Sequence, residues 1–299
     1  MKRWRVTEQI EYLRPENEIG RFLCSGMIVR GSKKVFFDTN FGRAGTRELL
    51  LAERPDFALV SHYHLDHSLW AKWVRSASDA ELLVPSGEEE YAASPDVFLQ
   101  RSLGQAPSAL LWKQFVLEHL KFEGVREFQI YDASFCLDLK STRMLFLPAP
   151  GHSPGHMTAW FPEEKILFTS DLGFGTFGPW YGFRDCDICL YVDSLLRLKA
   201  MKPSLLLTGH DGIIDRDIDG AFDRVIAAFF LRESRIRDTL EQGRSREAIV
   251  EDGIYFRNKE RARGPLKGFL FDWDAIMFDL HIGVLNQGGL DLFFPGRVR

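Results

Sequence analysis

The sequence predicts an α/β fold of sheet layers with helices outside them. Short apolar runs bounded by turn residues recur up to about residue 215, and helix-forming stretches separate them. Several of those runs also end in a histidine or an aspartate, which puts polar chemistry at strand ends.

Each element follows from its local pattern. Gly26-Met27-Ile28-Val29 and Lys33-Lys34-Val35-Phe36-Phe37-Asp38 read as a hairpin with Gly31 in the turn. Thr46 to Glu53 reads as a helix with Leu49, Leu50 and Ala52 on one stripe, stopped by Pro55. Phe57-Ala58-Leu59-Val60 is a buried strand, and Glu81 to Val84 is another. Glu88 to Gly124 is mostly helical, broken at Pro95, Gly104 and Pro107; it forms either a cover over a site or a helical layer. Strands follow at Glu127 to Tyr131, Phe135 to Leu139, Arg143 to Leu147, Met157 to Phe161 and Ile166 to Thr169. A helix from about Asp187 to Met201 is closed by Pro203, and Ser204 to Thr208 is a further buried strand.

After Asp217 the texture changes. Ala221 to Gln242 reads as one long helix and Ser245 to Val250 as a short one. Gly253 to Arg257 is expected as a short strand, Asp274 to Asn286 as a helix ended by Gly288-Gly289, and Leu290 to Phe294 as a last strand. The expected division is 1–216 and 217–299, the second part a mostly helical extension with winged-helix texture.

Composition narrows the function classes. A chain of 299 residues, 45% apolar, supports a substantial core and about two domains. Lys and Arg number 38 against 42 Asp and Glu, and the net charge of -4 carries no footprint of non-specific nucleic-acid binding. Met1-Lys2-Arg3-Trp4-Arg5 is basic with no apolar stretch behind it, so no signal peptide is expected. No uncharged run approaches the ~20 apolar residues of a membrane span. Four cysteines make no disulfide framework. A soluble cytoplasmic protein is the expectation.

The densest chemistry is His62-Tyr63-His64-Leu65-Asp66-His67, directly after the buried strand Phe57 to Val60. Imidazole and carboxylate hold Zn2+ and similar ions. On an extended backbone His62 and His64 point the same way and can share one ion, while Asp66 and His67 reach a second. Further polar residues close other strands: Gly151-His152-Ser153-Pro154-Gly155-His156, Ser170-Asp171 and Gly209-His210-Asp211.

This ordered pattern, His62-x-His64-x-Asp66-His67 with His152, Asp171 and His210, resembles the metallo-beta-lactamase superfamily over about residues 20 to 215. Gly151 to His156, Phe168 to Asp171 and Thr208 to His210 look like the matching segments of its glyoxalase II branch. The resemblance implies a four-layer αββα sandwich with a small C-terminal helical extension. It implies that His62, His64 and His152 bind one ion, that Asp66, His67 and His210 bind a second, and that Asp171 bridges them. Asp171 stands where true beta-lactamases with a cysteine ligand would have that cysteine, and His64 stands where the iron flavoprotein branch wants an acid. The long nuclease insert does not fit between Asp171 and His210, and no clear glutathione-binding set of basic residues is present.

Two ions would bind a shared hydroxide as nucleophile, with Asp66 orienting it. Five histidines and two carboxylates favour Zn2+, with Mn2+ or Fe2+ as alternatives. His156 is a candidate for a catalytic role, by a hydrogen bond behind the ligands or by touching substrate. The glycine- and aromatic-rich run Gly173 to Phe183 should border the pocket mouth, with Phe174, Phe177, Trp180 and Tyr181 as candidate walls. Cys186 and Cys189 read as packing, and His119 and His281 as structural or exposed. The leading function is a metal-dependent hydrolase acting on a small thioester, ester or lactone. The alternative is a phosphodiesterase or ribonuclease, with Arg232, Arg235, Arg237, Arg244 and Arg246 as a basic face. A homodimer through the long helix is compatible with either.

Overall fold

The computed structural model describes residues 1–16, 22–38 and 40–296. One sheet takes its strands in sequence order: β1 (Lys2–Arg5), β2 (Ile10–Arg14), β3 (Gly26–Arg30), β4 (Lys34–Phe37), β5 (Phe57–Leu59), β6 (Glu81–Pro85) and β7 (Gln129–Tyr131). The second contains β8 (Cys136–Asp138), β9 (Arg143–Pro148), β10 (Met157–Phe161), β11 (Ile166–Ser170), β12 (Leu205–Thr208) and β13 (Ile213–Ile214), ordered β13-β12-β11-β10-β9-β8. The β3–β4 hairpin is antiparallel with Met27 opposite Phe37, whereas β4, β5, β6 and β7 run parallel. β11 and β12 are also parallel.

Alternation along each strand builds the layers. Successive side chains point to opposite faces, so Met27 and Val29 face the second sheet while Ile28 faces outward. Val35 and Phe37 likewise point inward and Phe36 outward. From the other sheet Ile166, Phe168 and Leu207 meet them, while Leu167 and Leu206 turn to the opposite helical layer. Phe37 packs edge-on against Phe168 at 5.3 Å in the space between the sheets.

The outer helices complete the sandwich. Over the first sheet lie α1 (Arg43–Glu53) and α3 (Trp73–Ala77), while α2 (Leu65–Ser68) comes between them in the chain with Leu65 packed in the core shared with the C-terminal helices. Next come α4 (Glu89–Ala93), α5 (Pro95–Ser102) and α6 (Ala109–Gln114), which runs into a π-helical turn at Phe115–His119. Ser94 caps α5 with its side chain, and Pro95 stands at the first helical position. Over the second sheet lies α7 (Ile188–Ala200), capped by Asp187, followed by α8 (Ile218–Glu241), α9 (Arg246–Asp252), α10 (Pro265–Leu285) and α11 (Leu290–Phe293). The αββα architecture with a C-terminal helical extension is as expected.

Three local expectations are corrected. Gly253 to Arg257 is bent, irregular chain, not a strand. Gly253 sits at φ +88 after α9, and the buried Asp274 carboxylate accepts the N–H groups of Tyr255 and Phe256, so a side chain takes the donors a ladder would use. Leu290 to Phe293 is a helical turn whose first N–H goes to Glu233 Oε1 at 2.8 Å. With neither strand present, and no strand after Ile214 among the described residues, the winged-helix texture falls away. The last long helix begins at Pro265, well before Asp274, because proline at the first helical position costs no hydrogen bond. β1 escaped the sequence reading because its four residues are all exposed and carry no apolar run.

Candidate metal centre

The C-terminal ends of parallel strands open into the loops that carry the polar clusters, the usual position for a site in such sheets. β5 runs into His62 and His64, and α2 then carries Asp66 and His67. The turn between β9 and β10 delivers His152, β11 ends at Asp171, and β12 leads to His210. Asp171 is aimed by an irregularity: Ser170 takes φ +48 and the β11–β12 register shifts between Phe168 and Ser170. A left-handed non-glycine residue of this kind is held only where the surroundings compel it.

Folding gathers the side chains into two groups. His62, His64 and His152 form one, and Asp66, His67, Asp171 and His210 the other; within each, the ligand-capable atoms lie within 4.8 Å of one another. Asp171 faces both. Its Oδ1 is 3.1 Å from His67 Nε2, and its Oδ2 is 3.1 Å from His210 Nε2 and 3.8 Å from His152 Nε2. Asp66 Oδ2 lies 3.1 Å from His210 Nε2. The first group is buried, while His210 and Asp66 keep 31% and 20% of their side-chain surface, so the centre opens on the side of the second group.

Surrounding groups fix the ring orientations. His67 Nδ1 bonds Asp38 Oδ2 at 2.8 Å, His62 Nδ1 bonds Ser61 Oγ at 2.9 Å, and His152 Nδ1 bonds the Trp180 carbonyl at 2.9 Å. Asp38 also accepts the Ser61 N–H at 2.7 Å. Partners behind a histidine set which nitrogen it presents forward. Here the forward Nε2 atoms of His62, His64 and His152 are buried without a hydrogen-bond partner. Orphaned buried acceptors are costly unless something coordinates them, and imidazoles with carboxylates are the donor set for a divalent transition ion. The residues therefore fit a pair of such ions.

The electrostatics agree. Burial lowers the pKa values of His62 and His64 well below the usual range, aided by neighbouring imidazoles, which keeps these rings neutral as metal binding requires. At His67 and His210 burial also opposes charge, but nearby carboxylates, Asp171 foremost, raise both well above the usual value. Burial would raise Asp171, yet His210 and His67 hold it well below the carboxylate range. Without an ion the second group is therefore a set of paired charges, Asp66 and Asp171 against His67 and His210, and a cation bound among them would displace the protons of the two rings.

Residues 21–210 match the family model of the Metallo-beta-lactamase superfamily. The chain belongs to the metallo-beta-lactamase superfamily. The "Beta-lactamase-like protein 2 homolog" of Caenorhabditis elegans is 30% identical over 124 residues, covering 41% of this chain. The "Atrochrysone carboxyl ACP thioesterase AgnL7" of Paecilomyces divaricatus is 26% identical over 255 residues, covering 79% of it. The chain spans 40% of the length of the first relative and 67% of the second. In fold it is similar to a beta-lactamase domain protein from Burkholderia ambifaria, with TM-score 0.70 and 16% identity over 96% of this chain and 88% of that one.

The other anticipated residues of this superfamily member fall in different surroundings. His156 is fully buried, and its Nε2 accepts the Asp171 N–H at 3.3 Å, so it supports Asp171 from behind and offers no surface to a substrate. Of the aromatic candidates, Trp180 alone packs on ligand rings, 5.5 Å from His64 and 5.7 Å from His152. Tyr181 is fully buried, stacked on Phe229 with its hydroxyl 2.9 Å from His281 Nε2, and belongs to the packing under the C-terminal helices. Phe174 packs edge-on to Phe222, and Phe177 is exposed beside Tyr255. Two aromatic neighbours of this cluster were missed: Phe183, buried 4.8 Å from His64, and Trp273 of α10, 5.7 Å from Trp180. Phe183 lay inside the aromatic run, but Trp273 carries no local signal because a fold contact brings it there. Asp38 could have been noticed as an acid ending the apolar run Val35-Phe36-Phe37. Cys186 donates to the His152 carbonyl at 3.1 Å, and burial pushes its thiol well above the usual range, which makes it inert packing.

Proposed function

We propose that this metal-dependent hydrolase cleaves a small thioester, ester or lactone whose acyl part is apolar. The observation that carries the reading is the aromatic wall. Trp180 stands edge-on to His64 and Trp273 backs Trp180, both half-buried, while Phe183 packs buried against the same ring, so aromatic carbon lines the flank of the first ligand group. Such a wall takes an apolar acyl or ring group out of water and holds it in place.

His62, His64 and His152 would hold one divalent ion and Asp66, His67 and His210 the other, with Asp171 shared. The donor set favours Zn2+ over Mn2+ or Fe2+. Bound there, the ions supply Lewis acidity and bring a water's pKa toward neutrality. Asp66, partly open to solvent beside His210, accepts a hydrogen bond from the attacking water and orients it. His156 keeps the Asp171 backbone in place, and Asp38 keeps His67 turned forward. The turn from Gly151 to His156 favours a glyoxalase-II-like branch.

The arginines weigh against a phosphodiester substrate. Arg232 donates to the carbonyls of Phe177 and Pro179, and Arg235 to that of Gly253. Arg246 grips Asp279 with two hydrogen bonds, Arg244 pairs with Asp252, and Arg237 lies near Glu233 and Asp291. Cations committed in this way make a poor track for phosphates. The thioesterase name of the Paecilomyces relative is in line with acyl chemistry. The test is a panel of thioesters, lactones, beta-lactams and phosphodiesters assayed on zinc-loaded protein. Acyl hydrolysis that falls on Trp180→Ala is expected. Turnover of phosphodiesters alone would replace this reading with the nuclease alternative.

A further inference from the structure

Glu88, just before α4, is fully buried yet binds no member of either ligand group directly. Its Oε2 accepts the Tyr63 N–H at 2.6 Å. Its Oε1 accepts the Gly155 N–H at 2.8 Å and the Ser153 hydroxyl at 2.5 Å. Tyr63 stands between His62 and His64, while Ser153 and Gly155 lie between His152 and His156. The first pair of histidines comes from the end of β5 in one sheet, and His152 comes from the β9–β10 turn in the other. One carboxylate therefore joins the two loops that supply every histidine of the first group.

The joint is built for this residue. A Cβ at Gly155 would lie 2.5 Å from Glu88 Cγ and 2.5 Å from the Ser86 carbonyl, so a bare backbone is required where the carboxylate closes in. Tyr63 is also held at its far end, where its hydroxyl donates to Asp185 at 2.9 Å and its ring stacks on Tyr91 at 4.3 Å. A buried carboxylate is costly unless donors surround it, and two backbone N–H groups and a hydroxyl do so here.

We propose that Glu88 is a positioning residue that sets the spacing of His62 and His64 from His152, and through it the affinity of the first ligand group for its ion. This rests on the dinuclear reading above. Glutamine keeps the shape but turns an N–H2 toward one of the loops, so one tie becomes a repulsion. Support lost behind a metal ligand typically costs about 10–100-fold in metal affinity.

The test titrates metal-free full-length protein with Co2+, following its visible absorption against a competing chelator, with circular dichroism and a thermal melt of the metal-free form as controls. For Glu88→Gln, one of the two Co2+ ions should bind about 10–100-fold more weakly while the other is unchanged, and the metal-free melt should stay close to wild type. Wild-type affinity at both positions in folded Glu88→Gln overturns the proposal, as does equal weakening at both. Should Glu88→Gln not fold, Ser153→Ala decides. That change removes the hydroxyl tie alone, and selective weakening of one ion is again expected; unchanged binding overturns the proposal. A wild-type protein that takes up no Co2+ would instead sink the dinuclear reading, a different and recognisable result.

Discussion

Asp171 is the side chain on which the centre turns, and small neighbours decide whether it can sit there. A Cβ on Gly209 would fall 2.3 Å from Asp171 Oδ1 and 3.0 Å from His67 Cε1. Gly209→Ala should therefore push the carboxylate aside. Misplacement by about 1 Å can cost on the order of 100-fold in rate, so both ion content and turnover should fall sharply. Retention of two ions per chain at full rate would show that Asp171 has room to move. Cys186 makes the opposite prediction. Its buried, protonated thiol only donates to the His152 carbonyl, a bond serine can replace. Cys186→Ser should change kcat/KM by no more than about twofold, and a large loss would give the thiol a chemical role.

At the level of elements, strand alternation separates the cores and charge networks fasten the edges. Phe37, fully buried between the sheets, packs on Phe146 and Phe168. Phe37→Ala should lower stability by about 3–5 kcal/mol, read from the midpoint shift of a denaturant titration. On the other side of the first sheet, Arg3, Arg30 and Lys34 converge on Glu53 at the end of α1. Burial would raise the Glu53 carboxyl, but the hydrogen bonds from Arg3 and Lys34 and the charge of Arg30 hold it at about 2, below its ordinary 4.5. A depressed carboxylate stabilises the fold fully above its ordinary pKa and loses that contribution as pH falls through the folded value. Wild type should therefore lose more thermal stability than Glu53→Gln between pH 4.5 and 2. Parallel acid limbs for the two proteins would assign the network no part in stability.

Over the whole molecule, the C-terminal helices are continuous with the catalytic layers. Phe229 of α8 stacks on Tyr181 and meets Tyr191 of α7 edge-on, and His281 of α10 bonds the Tyr181 hydroxyl. Trp273 of α10 then reaches Trp180, which packs on His64 and His152, so the extension touches the surroundings of the first histidine group. No helix among the described residues is long and apolar enough to cross a membrane. Ions bound only by the folded state should stabilise all of it: at a hundredfold excess over Kd the gain is about 2.7 kcal/mol per site, and removal should lower Tm by about 5–10 °C. A chelator melt followed by Zn2+ addition reads this directly. An identical Tm with and without chelator would deny the ions a place in the fold.

The sequence alone determined the strand-end histidines and aspartates, the order of most strands and the sandwich they build. These signals are local: an apolar run specifies a buried strand, and a polar cluster after it specifies what the strand presents. It also singled out Trp180, which the fold packs on the rings of His64 and His152. Tertiary structure decided everything that depends on which distant segments meet. It turned Gly253 to Arg257 away from a strand by giving the N–H groups of Tyr255 and Phe256 to Asp274, buried Tyr181 under α8, and brought Trp273 against Trp180. It also placed Asp38, Ser61 and Glu88 behind the histidines. A buried polar group is specified by the partner that satisfies it, and for Glu88 and Trp273 that partner lies in another part of the chain.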